Sequence, residues 1–184
     1  MAHIRLNDES LPGIIGLLHF SPSTAKPLND LAEVLLVSDN SLTRAERELI
    51  ASSVSYWNDC HFCHSSHGAA AAALLEQPAS LMSDIKNGLK ETAVSLKMRS
   101  LLDIAKQVQK GGKNVSETHI NKAKEEGATD MEIHDTVLIA AAFCMFNRYV
   151  DGLATWAPET DEAFMPIGEM LAEKGYAVTT PVEV

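Results

Sequence analysis

Cysteine and histidine crowd into one stretch, Trp57-Asn58-Asp59-Cys60-His61-Phe62-Cys63-His64-Ser65-Ser66-His67. It holds two of the chain's three cysteines and three of its seven histidines. On a helix advancing about 100° per residue, Cys60, Cys63 and His67 fall within about 60° of one another. Cys63 and His67 are four apart, so one helical turn brings thiol and imidazole into register. A thiol acts as a nucleophile only as thiolate, and a helix N-terminus and a neighbouring imidazole both stabilise that anion. Cys60, at the start of a helix, has the first advantage, and Cys63 has the second. Oxidation of one thiolate by a peroxide gives a sulfenic acid, with which the other thiol condenses to a disulfide.

Two duller uses stay open at this level. C-x-x-C is also a metal half-site, to which Cys60, Cys63, His64 or His67 could contribute. A structural zinc site normally takes four ligands from two separated pairs, and here Cys144 and His134 stand alone. The cysteines could also be inert packing. His61 points about 100° away from Cys60, which is a surface or interface position. His64, four residues after Cys60, could assist that thiol or be solvated. Glu48 lies twelve residues before Cys60, and an antiparallel hairpin would fold it back where a carboxylate orients His67. The ordinary alternative is an exposed Glu48 paired with Arg44. Cys144, among Ala140-Ala141-Ala142-Phe143, reads as a buried apolar thiol.

The elements that would position these groups read as helices throughout, with no alternating strand pattern. Residues 1–27 carry Pro12, Gly13, Gly16, Pro22 and Pro27 and read as an irregular arm with one helical turn. Pro27 suits a first helical position, and Leu28, Leu31, Leu35 and Leu36 continue a helix to about Val37. Thr43-Arg44-Ala45-Glu46 is a capping box opening a helix to Tyr56 or Trp57. Asn58-Asp59 offers an N-cap for a helix beginning with Cys60. That helix runs through Ala69–Ala73 toward Pro78, its small residues predicting a central, closely approached position. Further helices are expected from Ser80 to Asn87 (closed by Gly88), from Glu91 to Lys110, and from Ser116 to Gly127. Thr129-Asp130-Met131-Glu132 is a second capping box, opening an apolar helix to Tyr149 or Val150. In the tail, residues 157–184, prolines leave room for one short helix near Ile167 to Lys174. The expectation is a single all-α domain, 1–184. Two capping-box helices, each leading to a cysteine-bearing segment, hint at an internal duplication.

Composition narrows the function classes. The 184 residues suffice for one domain with a sizeable core. Hydrophobic and charged fractions of 46% and 22% are those of a soluble globular protein. A formal net charge of −10 repels phosphate backbones and anionic bilayers, disfavouring nucleic-acid and membrane-surface roles. The opening residues form no apolar signal core and no run approaches a bilayer span. A reducing, cytoplasmic compartment is the expectation, in which a C-x-x-C pair is metal-binding or redox-active.

Glu48, Cys60, Cys63 and His67 together spell E-x11-C-x2-C-x3-H. This pattern resembles the AhpD-like alkylhydroperoxidase branch of the carboxymuconolactone decarboxylase family. Pro12-Gly13-Ile14, Arg47-Glu48 and Phe146-Asn147-Arg148-Tyr149-Val150-Asp151-Gly152 also resemble its peroxidase-related subgroup, so the likeness spans roughly residues 10–155. The resemblance implies a compact all-helical fold, commonly assembled as homo-oligomeric trimers or hexamers with the site near subunit contacts. It implies a thiol-dependent, peroxiredoxin-type peroxidase for antioxidant defence, with no haem, flavin or metal cofactor. Cys63 would be oxidised to the sulfenic acid, Cys60 would be proton donor and resolving thiol, and Glu48 and His67 would form a proton relay. Electrons would come from a dithiol partner such as a lipoyl-bearing or thioredoxin-like protein. In AhpD-type relays a second histidine immediately precedes the second cysteine, whereas here that position is Phe62. His61, one residue earlier, sits about 100° away. The decarboxylase branch lacks the C-x-x-C pair, which argues against lactone chemistry. The remaining alternatives are a disulfide-exchange adapter or redox sensor, and a metal-binding structural protein.

Overall fold

The structure is a computed structural model that describes residues 2–75, 84–87, 89 and 94–177. Its α-helices are α1 (Gly13–Phe20), α2 (Pro22–Leu36), α3 (Arg44–Trp57), α4 (His61–Leu74), α5 (Leu96–Lys110), α6 (Glu117–Glu125), α7 (Asp130–Gly152) and α8 (Met165–Lys174). Single 3₁₀ turns cover Gly112–Asn114 and Asp161–Phe164. No strand occurs among the described residues, and the all-α reading holds. None of the described helices is long and apolar enough to cross a membrane.

Both capping boxes form as expected. The Thr43 side chain accepts from the Glu46 amide while Glu46 receives the Thr43 amide, and Thr129 and Glu132 repeat the arrangement. Glu132 additionally pairs with Lys97 at 2.6 Å, tying the start of α7 to α5. Helix α4 lies between α3 and α8, and Ala69, Ala70, Ala71 and Ala72 are buried. Gly168 of α8 meets α4 so closely that an added Cβ would stand 2.4 Å from the Ala69 carbonyl carbon. The alanine run is thus the seat of a backbone-to-backbone helix contact, as its small side chains predict.

Four expectations need correction or restriction. The arm over 1–27 is largely helical: α1 forms over Gly13–Phe20, and α2 starts at Pro22 rather than Pro27. Pro22 occupies the first helical turn, where its missing amide hydrogen is no loss, and the Ser21 carbonyl takes the amides of Thr24 and Ala25. Pro27 sits inside α2 on its exposed side, where water reaches the carbonyl it leaves unpaired. The helix at Cys60 begins one residue late, because Cys60 itself is the N-cap, in extended conformation, and its carbonyl accepts the His64 amide. Helix α5 starts at Leu96 with Ser95 as N-cap, its side chain accepting from the Met98 amide. The first half of the helix expected over Ser80 to Asn87, residues 80–83, lies outside the described residues, as do its stop at Gly88, Pro78 and the start at Glu91; residues 84–86 are helical.

Over its described residues, 157–177, the tail is built into the body. Phe164 is fully buried, and Arg44 from α3 caps α8 by donating to the carbonyls of Leu171 and Ala172 at 3.0 and 2.9 Å. That contact also answers the Arg44–Glu48 alternative, since Arg44 is committed elsewhere.

Candidate active site

The corner between α3 and α4 decides where the cysteines stand. Asp59 takes the left-handed conformation, φ 61°, one of the few non-glycine types that tolerates it. Cys60 then returns its amide to the Ser55 carbonyl at 3.0 Å. Asn58 is drawn off from capping and into a side-chain network. It donates to Asn147 Oδ1 at 2.8 Å and accepts from Gln109 Nε2 at 3.0 Å, while Asn147 donates to Ser55 Oγ at 2.9 Å. Asn147 is buried on α7, so this part of the Phe146–Gly152 segment pins the corner that holds Cys60.

Both sulfurs are buried and present as free thiols. The Cys60 thiol is pushed far up, first by its hydrogen bond to Cys63, then by burial and by the charge that develops on Cys63. Helix-start stabilisation of a Cys60 thiolate is therefore overruled: Cys60 keeps its proton and gives it to a hydrogen bond with Cys63. Cys63 lies in the first turn of α4, where unpaired amides favour negative charge.

Glu48 is fully buried and reaches His67, with Oε2 2.7 Å from Nδ1. Its other oxygen accepts from the Tyr176 hydroxyl at 2.6 Å, and the same hydroxyl lies 3.1 Å from His67 Nδ1. With two acceptors facing it, Nδ1 carries the ring hydrogen, which leaves Nε2 as the basic nitrogen of His67. The imidazole is held in place by the edge-on Phe143 ring, centroids 4.6 Å apart, and by the stacked ring of Tyr176. Burial, with the Glu48 charge next in weight, pushes the Tyr176 hydroxyl far up, so it remains a donor.

Tyr176 was not among the sequence candidates. It lies 109 residues from His67, with no local pattern to mark it. The geometry that brings it in is specific: Glu33 of α2 accepts the Tyr176 and Ala177 amides at 2.7 and 3.3 Å. Gly175 permits the turn with φ +69, and a Cβ there would meet Glu33 Oε2 at 2.6 Å.

Cys63, His67 and Tyr176 share a cavity of about 70 Å³, room for several water-sized groups, whose other walls are mainly apolar and include Ile14, Phe62 and Phe143. Phe62, immediately before Cys63, works as packing. Its ring lies against Gly13, where a Cβ would come within 2.2 Å, and edge-on to Phe164. Gly13 at φ +52 accordingly explains the Pro12-Gly13-Ile14 element.

Neither supporting histidine joins this group. His61 is exposed, with Nε2 2.9 Å from the Pro158 carbonyl. His64 is neither solvated nor beside the Cys60 thiol. It is 2% exposed, its Nδ1 turned to the Ser52 carbonyl and hydroxyl at 3.2 and 3.0 Å and its ring against Tyr56. Among the described residues no three histidine, cysteine or acidic side chains gather into a set able to hold a metal ion. Cys144 is half-buried rather than buried, with the Asn58 amide 3.5 Å from its sulfur.

Burial lowers His64 from 6.5 to about 4, and this carries a stability prediction. The unfolded chain binds a proton there below pH 6.5 that the folded chain refuses until about pH 4. The contribution is complete above pH 6.5 and is lost as pH falls through that window, on the order of 3 kcal/mol. His64→Phe should melt with a shallower dependence between pH 6.5 and 4 than the parent; equal slopes would contradict the assignment.

The sequence matches the carboxymuconolactone decarboxylase family over residues 22–83 and again over 73–157. Each matched stretch contains one of the two capping-box helices, α3 and α7. Among solved structures the chain is similar to an alkylhydroperoxidase AhpD core, an uncharacterized peroxidase-related protein from Ralstonia eutropha JMP134. The TM-score is 0.77 at 21% identity, covering 91% of this chain and 96% of that one. It is also similar to an uncharacterized peroxidase-related protein from Silicibacter sp. TM1040, with a TM-score of 0.73 at 24% identity, covering 80% and 77%. At these identities the likeness establishes the fold. No curated protein matches the chain.

Proposed function

The chain belongs to the carboxymuconolactone decarboxylase family, and from that premise we propose that it is a thiol-dependent peroxidase cycling through a Cys60–Cys63 disulfide. The observation that carries the reading is the buried Cys60-x-x-Cys63 pair, with Cys63 lining one cavity with His67, whose Nδ1 is held 2.7 Å from the buried Glu48 carboxylate, itself bonded to Tyr176. Paired thiols with an oriented imidazole serve hydroperoxide reduction and have no use in lactone decarboxylation.

His67 Nε2 accepts the Cys63 proton, and the thiolate attacks the terminal oxygen of a hydroperoxide. The O–O bond breaks, Cys63 becomes a sulfenic acid, and the departing alkoxide takes a proton to leave as alcohol. Cys60 then attacks the sulfenic sulfur, its thiol proton leaving with the hydroxyl as water, and the disulfide closes. A dithiol partner, lipoyl-bearing or thioredoxin-like, returns two electrons and two protons. Glu48 keeps His67 in the tautomer that can act as base and balances the imidazolium that forms. Exposed apolar side chains on α2 and α7, Val34, Leu138 and Met145, support self-association into a homo-oligomer.

The burial of Cys60 and Cys63, 0% and 3% exposed, favours a small hydroperoxide over a folded disulfide partner as oxidant. Stopped-flow oxidation of the reduced protein separates the two. A peroxidase is oxidised faster by cumene hydroperoxide than by an oxidised thioredoxin-like protein. The reverse order would make it a disulfide-exchange adapter.

Tyr176→Phe should keep the stacked ring and the fold but lower the rate of Cys63 oxidation about tenfold, by loosening Glu48. It should also displace the pH–rate profile. An unchanged profile would reduce Tyr176 to packing.

A further inference from the structure

Among the buried side-chain polar atoms of the described residues that find no hydrogen-bond partner, Asn29 Nδ2 and Ser66 Oγ belong to residues that line the cavity shared by Cys63, His67 and Tyr176. Asn29 is 5% exposed on α2, and Ser66 is 2% exposed on α4, three residues after Cys63 and on the same face. An unpaired buried amide or hydroxyl costs roughly 1–3 kcal/mol, so two in the lining of a mainly apolar cavity call for an occupant with polar atoms. The neighbouring polar groups cannot answer them, because Glu48, His67 Nδ1 and Tyr176 satisfy one another. What remains is two polar groups in the lining of the cavity that Cys63 also lines, among mainly apolar walls.

Resting on the peroxidase reading, we propose that Asn29 and Ser66 are substrate-binding residues that grip the hydroperoxide group of an organic hydroperoxide and hydrogen-bond the oxygen that departs. The apolar walls take the organic part. When Cys63 sulfur bonds to the terminal oxygen, the O–O bond breaks and negative charge gathers on the oxygen left on the organic group. A fixed N–H and O–H in a dry cavity stabilise that charge far better than they would in water. The proton that completes the alcohol is the one His67 took from Cys63. The two-electron oxidation of the sulfur is balanced by reduction of the O–O bond.

The test compares Asn29→Leu and Ser66→Ala with the parent in two reactions of the reduced full-length protein. One is oxidation by cumene hydroperoxide; the other is alkylation by iodoacetamide, which needs the Cys63 thiolate but no grip on a peroxide. Asn29→Leu should slow oxidation about 10²-fold and Ser66→Ala about tenfold, with alkylation within about twofold in both. Because each variant removes an unpaired buried polar group, melting temperatures should hold or rise; a merely structural role predicts a fall. Unchanged oxidation rates, or oxidation and alkylation falling in parallel, would overturn the assignment and leave the pair as a water site. If the parent protein itself resists oxidation while still alkylating, the peroxidase reading fails, and this inference with it.

Discussion

If the chain is the proposed peroxidase, Cys63→Ser should eliminate hydroperoxide turnover, a loss on the order of 10³-fold or more, while keeping the fold. Serine fills the space of the thiol but has no accessible anion near neutral pH. The Cys60 thiol that remains loses its thiol partner but is still fully buried, and burial alone disfavours its thiolate, so it should not substitute. Cys60→Ser separates the two halves of the cycle. It permits a single oxidation, and the protein stops at a Cys63 sulfenic acid about 16 Da heavier, because no thiol stands near enough to close a disulfide. Steady-state activity surviving in both variants would place the chemistry elsewhere.

The second large effect is structural. Gly168→Ala puts a methyl group 2.4 Å from the Ala69 carbonyl carbon and 2.7 Å from the Ala70 amide nitrogen. Both obstacles are backbone of α4, which cannot rotate away as a side chain would. Helix α8 has to withdraw, giving up its packing on α4, at about 3 kcal/mol. For a chain of this length that lowers the melting temperature by roughly 10 °C. The same displacement drags Tyr176 away from Glu48, so peroxide reduction should fall even at temperatures where the variant stays folded. A melting temperature within about 2 °C of the parent would mean that α8 is not held as closely as its contact with α4 indicates.

How much of this was legible beforehand follows the range of the signals. Capping boxes are local, so Thr43–Glu46 and Thr129–Glu132 marked α3 and α7 without knowledge of the fold. The spacing of Cys60, Cys63 and His67 is also local, within two turns of α4. Glu48 was within reach because one short corner reverses the chain between α3 and α4. Pro22 and Pro27 both suit a first helical turn, and only the Ser21 carbonyl, which takes the Thr24 and Ala25 amides, decides for Pro22. At the corner, Asn58 looked like a cap, but its amide is taken by Asn147 and Gln109, and this demand comes from α7 and α5. Tyr176, the residue with no local signal of its role, depends on three conditions together: the Gly168 contact, the Gly175 turn and the Glu33 clamp. Gly168 and Gly175 are near in sequence, but what each must meet, Ala69 on α4 and Glu33 on α2, is not. His64 illustrates the opposite case, a correctly noticed residue whose partners, Ser52 and Tyr56, lie on the neighbouring helix and turn it away from the cysteines.

The claim that Cys60 and Cys63 form a working redox pair is tested most directly by mass. Reduced protein treated with one equivalent of cumene hydroperoxide should lose two hydrogen atoms, about 2 Da by intact mass, before alkylation and digestion. The loss should map to the peptide carrying Cys60 and Cys63, with Cys144 alkylated as before. An unchanged intact mass, with both cysteines still open to alkylation, would contradict the account.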